Sequence, residues 1–321
     1  MSSLATLIES SDLDGLIRYL DRLVDKEDWE GIVDVGERCR EAVNRDKQLW
    51  AVAQFAEYRL AVDAPSPFAG PVIGDGKGRY GLGPLWEVAA STHSWADLEP
   101  YLTIPTTRAL VAHERSIRGE EIDEQAIDGH VVGIPLEQQP WEPVYPVAVY
   151  RSDEADFPEA ERSSLAWTDL SQHGERVADE GPAEALLDLI RPWLDESDGH
   201  AEALQVIGSS LDGMRALGPH RARVAEVSLQ EAMQVMVWSG ASGGAFGRRR
   251  GTPIGRSGAW WVLAQVLGYD ETPEPDALAE AGELSWVLWD PGDQVGGWGL
   301  HLAVEDRDQG VAWAISAVDM M

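Results

Sequence analysis

The spacing of apolar residues changes along this chain, from helical steps of three and four to an alternation of two, and that change sets the fold class. Leu13, Leu16, Ile17, Leu20, Leu23 and Val24 form the stripe of an amphipathic helix. Asp28 as an N-cap predicts a second helix that buries Ile32, Val35, Cys39 and Val43. A third, over 47–62, presents Leu49, Ala53, Ala56 and Leu60. Short connections make such helices antiparallel neighbours. A breaker-rich run follows, Pro65 to Pro84, with Gly70, Gly74, Gly76, Gly78, Gly81 and Gly83. Its length reads as a linker or a functional segment. Helical patterns resume at Leu85–Ala90, at Trp95–Leu102 behind Ser94, and at Thr107–Arg118 before Gly119. The succession of short helix pairs is repeat-like, without a periodic signature.

Residues 120–180 are acidic and broken by Pro135, Pro140, Pro143, Pro146 and Pro158. Tyr145, Val147 and Val149 allow one edge strand there. From 181 helices and strands mix. Ala183–Leu194 is helical, with Pro192 bending its end. Leu204–Ile207 and Ala222–Val227 read as strands around a helix at 209–217. Ser228 and Glu231 have the spacing of a capping box. Thr252-Pro253 opens a helix that is apolar nearly all round and stops at Gly268, so it is expected to be buried. Leu284–Trp289, Trp298–Glu305 and Val311–Val318 read as three closing strands, joined by turns at Asp290-Pro-Gly-Asp293 and Asp306–Gly310. The expected organisation is α+β. It has a helical, repeat-like domain over 1–119, an acidic connector over 120–180, and an α+β domain over 181–321 with a small, mainly antiparallel sheet and a buried helix pair.

Charge constrains the partners. The chain of 321 residues carries 56 acids against 25 Lys+Arg, a net charge of −31, with only three Lys among the cations. The excess of Arg over Lys resembles the composition of GC-rich, actinobacterial-like genomes. Such acidity disfavours nucleic acid and anionic membrane as partners. It is unevenly spread: residues 120–200 carry 21 acids against four Arg, whereas 221–261 carry six Arg against two Glu. Cys39 is the single cysteine, so no internal disulfide forms, which fits a reducing compartment. Met1 to Asp14 lacks the pattern of a signal peptide, and no stretch approaches the ~18 apolar residues of a membrane span. The expected location is cytoplasmic.

Three motifs invite a chemical reading. Gly240-Ala-Ser242-Gly-Gly244 matches the pattern of a nucleophile elbow. The preceding residues have helical spacing, however, and the one downstream histidine, His301, falls in a predicted strand. Ser242 is therefore a low-ranked nucleophile. The stretch 239–258 has the composition of an anion cradle, in which Gly243, Gly244 and Gly247 free backbone N–H groups and Arg248, Arg249, Arg250 and Arg256 supply charge. The opposing reading is a helix connection whose arginines pair with the protein's own acids. His113-Glu114 begins a zinc motif that Ile117 breaks, and His93, His130, His173, His200, His220 and His301 lack ligand spacing, so no metal or cofactor is expected. The tryptophans read as core, with Trp286 and Trp289 on opposite faces of one strand.

The phrases Ser239-GASGGAFGRRRG-Thr252, Gly255-RSGAWW-Val262 and Trp313–Asp319 resemble an uncharacterised family of actinobacterial proteins over the C-terminal third. The resemblance implies a shared structural or ligand-contacting element at 239–262 and brings no activity. The reading favoured at this point is a non-catalytic binding protein that offers a helical surface to another protein. The alternative is an enzyme or sensor that holds an anionic small molecule at 239–258.

Overall fold

The computed structural model describes residues 3–74, 79–80, 82–129, 131–159, 162–171, 174–178, 181–292 and 297–320. His130, His173, Asp293 and, in the glycine run, residues 75–78 and Gly81 lie outside the described residues. The chain is α+β and divides into two compact units. The first comprises 1–131 with 148–156, and the second 132–147 with 157–321. Among the described residues no helix is long and apolar enough to cross a membrane.

The first unit contains helices α1 (Leu4–Ser10), α2 (Leu13–Val24), α3 (Trp29–Val43), α4 (Trp50–Asp63), α5 (Ser66–Ile73), α6 (Leu85–Thr92), α7 (Trp95–Leu98) and α8 (Pro105–Ile117). Two ribbons accompany them, β1 (Arg79–Tyr80) with β2 (Gly83–Pro84) and β3 (Val149–Tyr150) with β4 (Ala155–Asp156). Asp28 caps α3 by accepting from Gly31 N–H, and Ser94 and Asp97 form a full capping box on α7. The breaker run is not loop throughout. It contains α5, because Pro67 occupies the first turn, where its missing N–H costs nothing, and Gly70 lets α5 approach Tyr101. Helix α4 sits in the centre and is buried nearly all round. Its Arg59 pairs with Asp21 and Asp63 at 2.5 and 2.6 Å. Of the residues expected in an edge strand only Val149 lies in one, β3 of the β3–β4 ribbon; Tyr145 and Val147 lie in irregular chain, which Pro143 and Pro146 interrupt. Tyr150 donates to the buried Glu87 at 2.6 Å, and Arg118 donates to Ala148 O at 2.7 Å, which fastens 148–156 to the helices.

The second unit is built on a seven-stranded antiparallel sheet of β5 (Ala166–Asp169), β6 (Glu175–Val177), β7 (His200–Ile207), β8 (Arg221–Val227), β9 (Ser285–Asp290), β10 (Trp298–Asp306) and β11 (Val311–Asp319). Their spatial order is β5-β8-β9-β10-β11-β7-β6. Its helices are α9 (Pro182–Leu189), α10 (Arg191–Asp195), α11 (Ser210–Ala216), α12 (Leu229–Ala241), α13 (Thr252–Val266) and α14 (Pro275–Leu278). Pro192 does mark a break, since α9 ends at Leu189 and α10 restarts at Arg191. Alternation along the strands gives the sheet two apolar faces. Met214 of α11 packs on Val287, Trp289, Ala303 and Ala314 of one face. Leu288, Leu300, Leu302, Val304 and Ile315 point the other way, toward α9 and α12, with α13 packed on both helices. The opposite orientations expected of Trp286 and Trp289 follow from this alternation. Ser228 caps α12 by accepting from Glu231 N–H at 3.2 Å. The Glu231 carboxylate does not close the box; it accepts from Ser163 N–H and hydroxyl at 2.6 and 2.7 Å.

Helices α12 and α13 approach closely because their contact is glycine on glycine. A methyl at Gly240 would lie 3.1 Å from Gly255 Cα, and one at Gly255 would lie 2.2 Å from Val237 O. A fully buried ion pair fixes α13 from outside the helix pair. Arg256 donates through Nε and Nη2 to Glu142 at 2.8 and 2.9 Å, and to Pro135 O and Glu137 O at 2.7 and 3.1 Å. Trp260 Nε1–H donates to the same carboxylate at 2.5 Å. Burial, followed by the Glu142 charge, pushes the neighbouring Tyr145 hydroxyl well above its ordinary range.

Candidate functional site

The glycine- and arginine-rich stretch is the turn between α12 and α13. Ser242 caps the C-terminus of α12, and its Oγ accepts from Gly244 N–H at 3.0 Å. The residues before it are helix, so the strand that a nucleophile elbow needs is replaced by α12. Gly244 has a φ of 77°, and a methyl there would lie 2.0 Å from Asp319 Oδ2. The carboxylate of Asp319, at the end of β11 and 1% exposed, reaches into this turn and accepts from Ala245 N–H at 2.6 Å. Phe246 N–H donates to Ser197 Oγ, and Arg250 and Gly251 N–H donate to Ala241 O. Gly243 and Gly247 are needed for the close folding of the turn on itself, since a methyl at either would meet backbone of the other side within 2.3 Å.

The arginines of the stretch diverge. Arg256 lies in the buried pair with Glu142. Arg249 stacks on Phe157 at 4.6 Å and donates to Thr252 Oγ1 at 3.2 Å. Burial pulls the Arg250 guanidinium below its ordinary value, against the opposing charge of Glu196. Arg248 is exposed, next to the exposed Phe246. If Asp319 organises the turn, Asp319→Ala removes a charged acceptor worth about 1.5–3 kcal/mol. Tryptic cleavage after Arg248, Arg249 and Arg250 should then accelerate while the far-ultraviolet circular dichroism stays unchanged. Unaltered cleavage would mean that the turn stands without the carboxylate.

A second feature of this unit arises from strand register. Strands β9 and β10 pair only from Ser285↔Glu305 to Leu288↔Leu302. Beyond that point each follows its other neighbour: Trp289 and Asp290 stay with Val224 and Arg223 of β8, while His301 to Trp298 stay with Ser316 to Asp319 of β11. The sheet therefore parts between β9 and β10. Among the described residues, backbone groups that face the gap have no ladder partner across it. Such groups take up water or a ligand.

The gap opens into a cleft of about 240 Å³. Trp289, Asp290, Gly297, Gly299 and His301 come from the parted strands, Val235 and Trp238 from α12, and Glu159, Arg162 and Leu165 from the segment before β5. That segment is held over the cleft by the bonds from Ser163 to Glu231 and by Trp238 Nε1–H donating to Phe157 O at 3.3 Å. The His301 ring lies against that of Trp289, tilted by 56° with centroids 4.8 Å apart, and its Nδ1 lies 3.2 Å from Ser316 Oγ. The acids of the rim are paired, Glu159 with Arg162 at 2.8 Å and Asp290 with Arg223 and with Gly292 N–H. Two indoles, an imidazole, aliphatic walls and a few charged groups at the mouth are the chemistry of a small-molecule site. Sequence reasoning placed His301 in a strand and the tryptophans in the core. It missed the cleft because nothing local announces where two paired strands separate.

The chain comprises a helical unit and an antiparallel α+β unit with a cleft of about 240 Å³ where β9 and β10 part. The chain belongs to a family of unknown function, DUF6183, whose profile matches residues 14–320. The match extends well beyond the C-terminal third that carried the resemblance. No curated protein and no solved structure matches the chain.

Proposed function

We propose that this protein binds a small ring-bearing molecule in the opening between β9 and β10. One observation carries the reading: among the described residues the two strands stop pairing after Leu288 and Leu302, and the opening beside them is lined by Trp238, Trp289 and His301. Ladder hydrogen bonds are given up there, and a bound molecule would recover them. The cleft is smaller than the sites that enclose drug-sized ligands, so it suits a single ring system. The turn at 243–250 is less suited to an anion, because the Asp319 carboxylate already takes the Ala245 N–H and Arg256 is bound to Glu142.

A thermal-shift panel of indoles, nucleosides and monosaccharides tests the proposal. A ligand at a hundred times its dissociation constant stabilises by about 2.7 kcal/mol, which moves the melting temperature of a domain of this size by several degrees. At least one class should give such a shift. Val235→Phe, which fills the cleft from α12, should abolish it, and an Arg248→Ala/Arg250→Ala pair should leave it intact. A shift that survives Val235→Phe would place the ligand elsewhere.

A second reading gives the helical unit a protein partner. Its support is the exposure of Leu13 and Ile17 one turn apart on α2, and of Trp50, 55% exposed at the start of α4.

A further inference from the structure

Two buried polar atoms converge on the turn between α12 and α13, and no described residue satisfies either. Trp193 of α10 is fully buried, and its indole Nε1–H has no acceptor among the described residues. Asp319, at the end of β11, is 1% exposed. Its Oδ2 accepts from Ala245 N–H at 2.6 Å, while its Oδ1 has no donor among the described residues. Both side chains meet at Gly244. The position that a β-carbon would take there lies 2.0 Å from Asp319 Oδ2 and 3.2 Å from Trp193 Cδ1, the ring atom bonded to Nε1. The N–H edge of the indole and the carboxylate therefore face one glycine, yet they make no hydrogen bond to each other. A buried donor and a buried acceptor left in this state both cost free energy that a bridging partner relieves.

From this convergence, and independently of the cleft, we infer that the Gly244 turn encloses a binding site for one water molecule, which accepts from Trp193 Nε1–H and donates to Asp319 Oδ1. The pair of unmet atoms decides the chemical class. An anion would be repelled by the carboxylate, and a cation by the indole N–H. An apolar group would relieve neither. What fits is a neutral molecule that accepts and donates at once. Enclosure sets its size, because each of the two atoms exposes less than 1 Å² to solvent. Water is the molecule that proteins bury between groups of this kind.

The sequence builds the site with small residues. Gly244 has a φ of 77°, and any side chain there would collide with the carboxylate, so glycine is what admits both groups. Gly199 packs against Trp193: a β-carbon at that residue would lie 2.6 Å from Trp193 O and 3.0 Å from its Cβ. Ser242 Oγ takes the Gly244 N–H, so that donor is not available to Asp319. Gly244, which has the composition of an anion cradle around it, thus serves a buried acid and a water. The water links α10, the end of β11 and the turn, and it couples Trp193 to the position of the turn.

A crystal structure of the whole chain, at a resolution that shows ordered water, tests this, with NMR as the reading in solution. One density peak should lie at hydrogen-bond distance, about 2.7–3.2 Å, from both Trp193 Nε1 and Asp319 Oδ1. In solution the Trp193 Hε1 resonance, assigned by its loss in Trp193→Phe, should show a rotating-frame Overhauser peak at the water frequency, opposite in sign to chemical exchange. Asp319→Leu should lose that peak. A direct Trp193–Asp319 bond would overturn the inference, as would a peak ringed by oxygens at about 2.4 Å in the manner of a metal ion. A wild-type Hε1 resonance without a water contact, or a contact that persists in Asp319→Leu, would overturn it equally.

Discussion

Glu142→Leu is expected to destabilise the second unit by about 3–5 kcal/mol, because it strands the Arg256 guanidinium in the interior without its counter-charge. Arg256 donates to both carboxylate oxygens of Glu142, and neither side chain is exposed. Trp260 would lose its acceptor as well. The double variant Glu142→Leu/Arg256→Met should recover most of the loss, since apolar residues of similar size often replace a buried pair without penalty. Urea unfolding monitored by tryptophan fluorescence measures both. Additive losses in the double variant would mean that the two side chains are not coupled as the geometry requires.

Gly255→Val should be comparably severe, at about 3 kcal/mol or more, the upper end for overpacking. A β-carbon at this position would lie 2.2 Å from Val237 O and 2.8 Å from Ala241 N, and both are backbone atoms that cannot rotate away. Helices α12 and α13 must then separate, which unseats the helix that forms one wall of the cleft. Thermal unfolding reads the loss. Gly268→Ala, beyond the end of α13, is the contrast: nothing lies within 4 Å of an added methyl, so its cost is confined to a φ of 80°. Equal effects at the two glycines would contradict close helix contact as the cause.

Much of the local structure was legible in the sequence because its causes are local. Asp28, Ser94 and Ser228 act as N-caps, Gly119 and Gly268 take the left-handed conformation past helix ends, and the three closing strands form where they were expected. What escaped the sequence depends on distant partners. Strands β5 and β6 are edge strands with mostly exposed side chains, so they carry no apolar alternation. Helix α5 was hidden by proline and glycine in positions that a helix tolerates when its neighbours accept them.

The candidate site was legible only in its parts. The question posed by the basic stretch 221–261 was what neutralises it. For Arg256 the partner is Glu142, which lies 114 residues away, and no pattern in the sequence pairs them. The Asp319 carboxylate reaches the Gly244–Ala245 turn from 74 residues away. The histidine and tryptophans of the cleft were visible as residues, but their convergence follows from a change of strand pairing after Leu288 and Leu302. Register is a property of two strands together and is not written in either one.

The most direct test is amide hydrogen exchange, with the protein free and then saturated with the tightest-binding member of the panel. In the free protein the alternate amides at 289–290 and 298–301 that face the opening should exchange faster than those of 285–288 and 302–305, where the ladder is intact. Ligand should slow them selectively. Amides across the opening that are already as protected as the intact ladder, or protection appearing at 243–250 instead, would contradict the account.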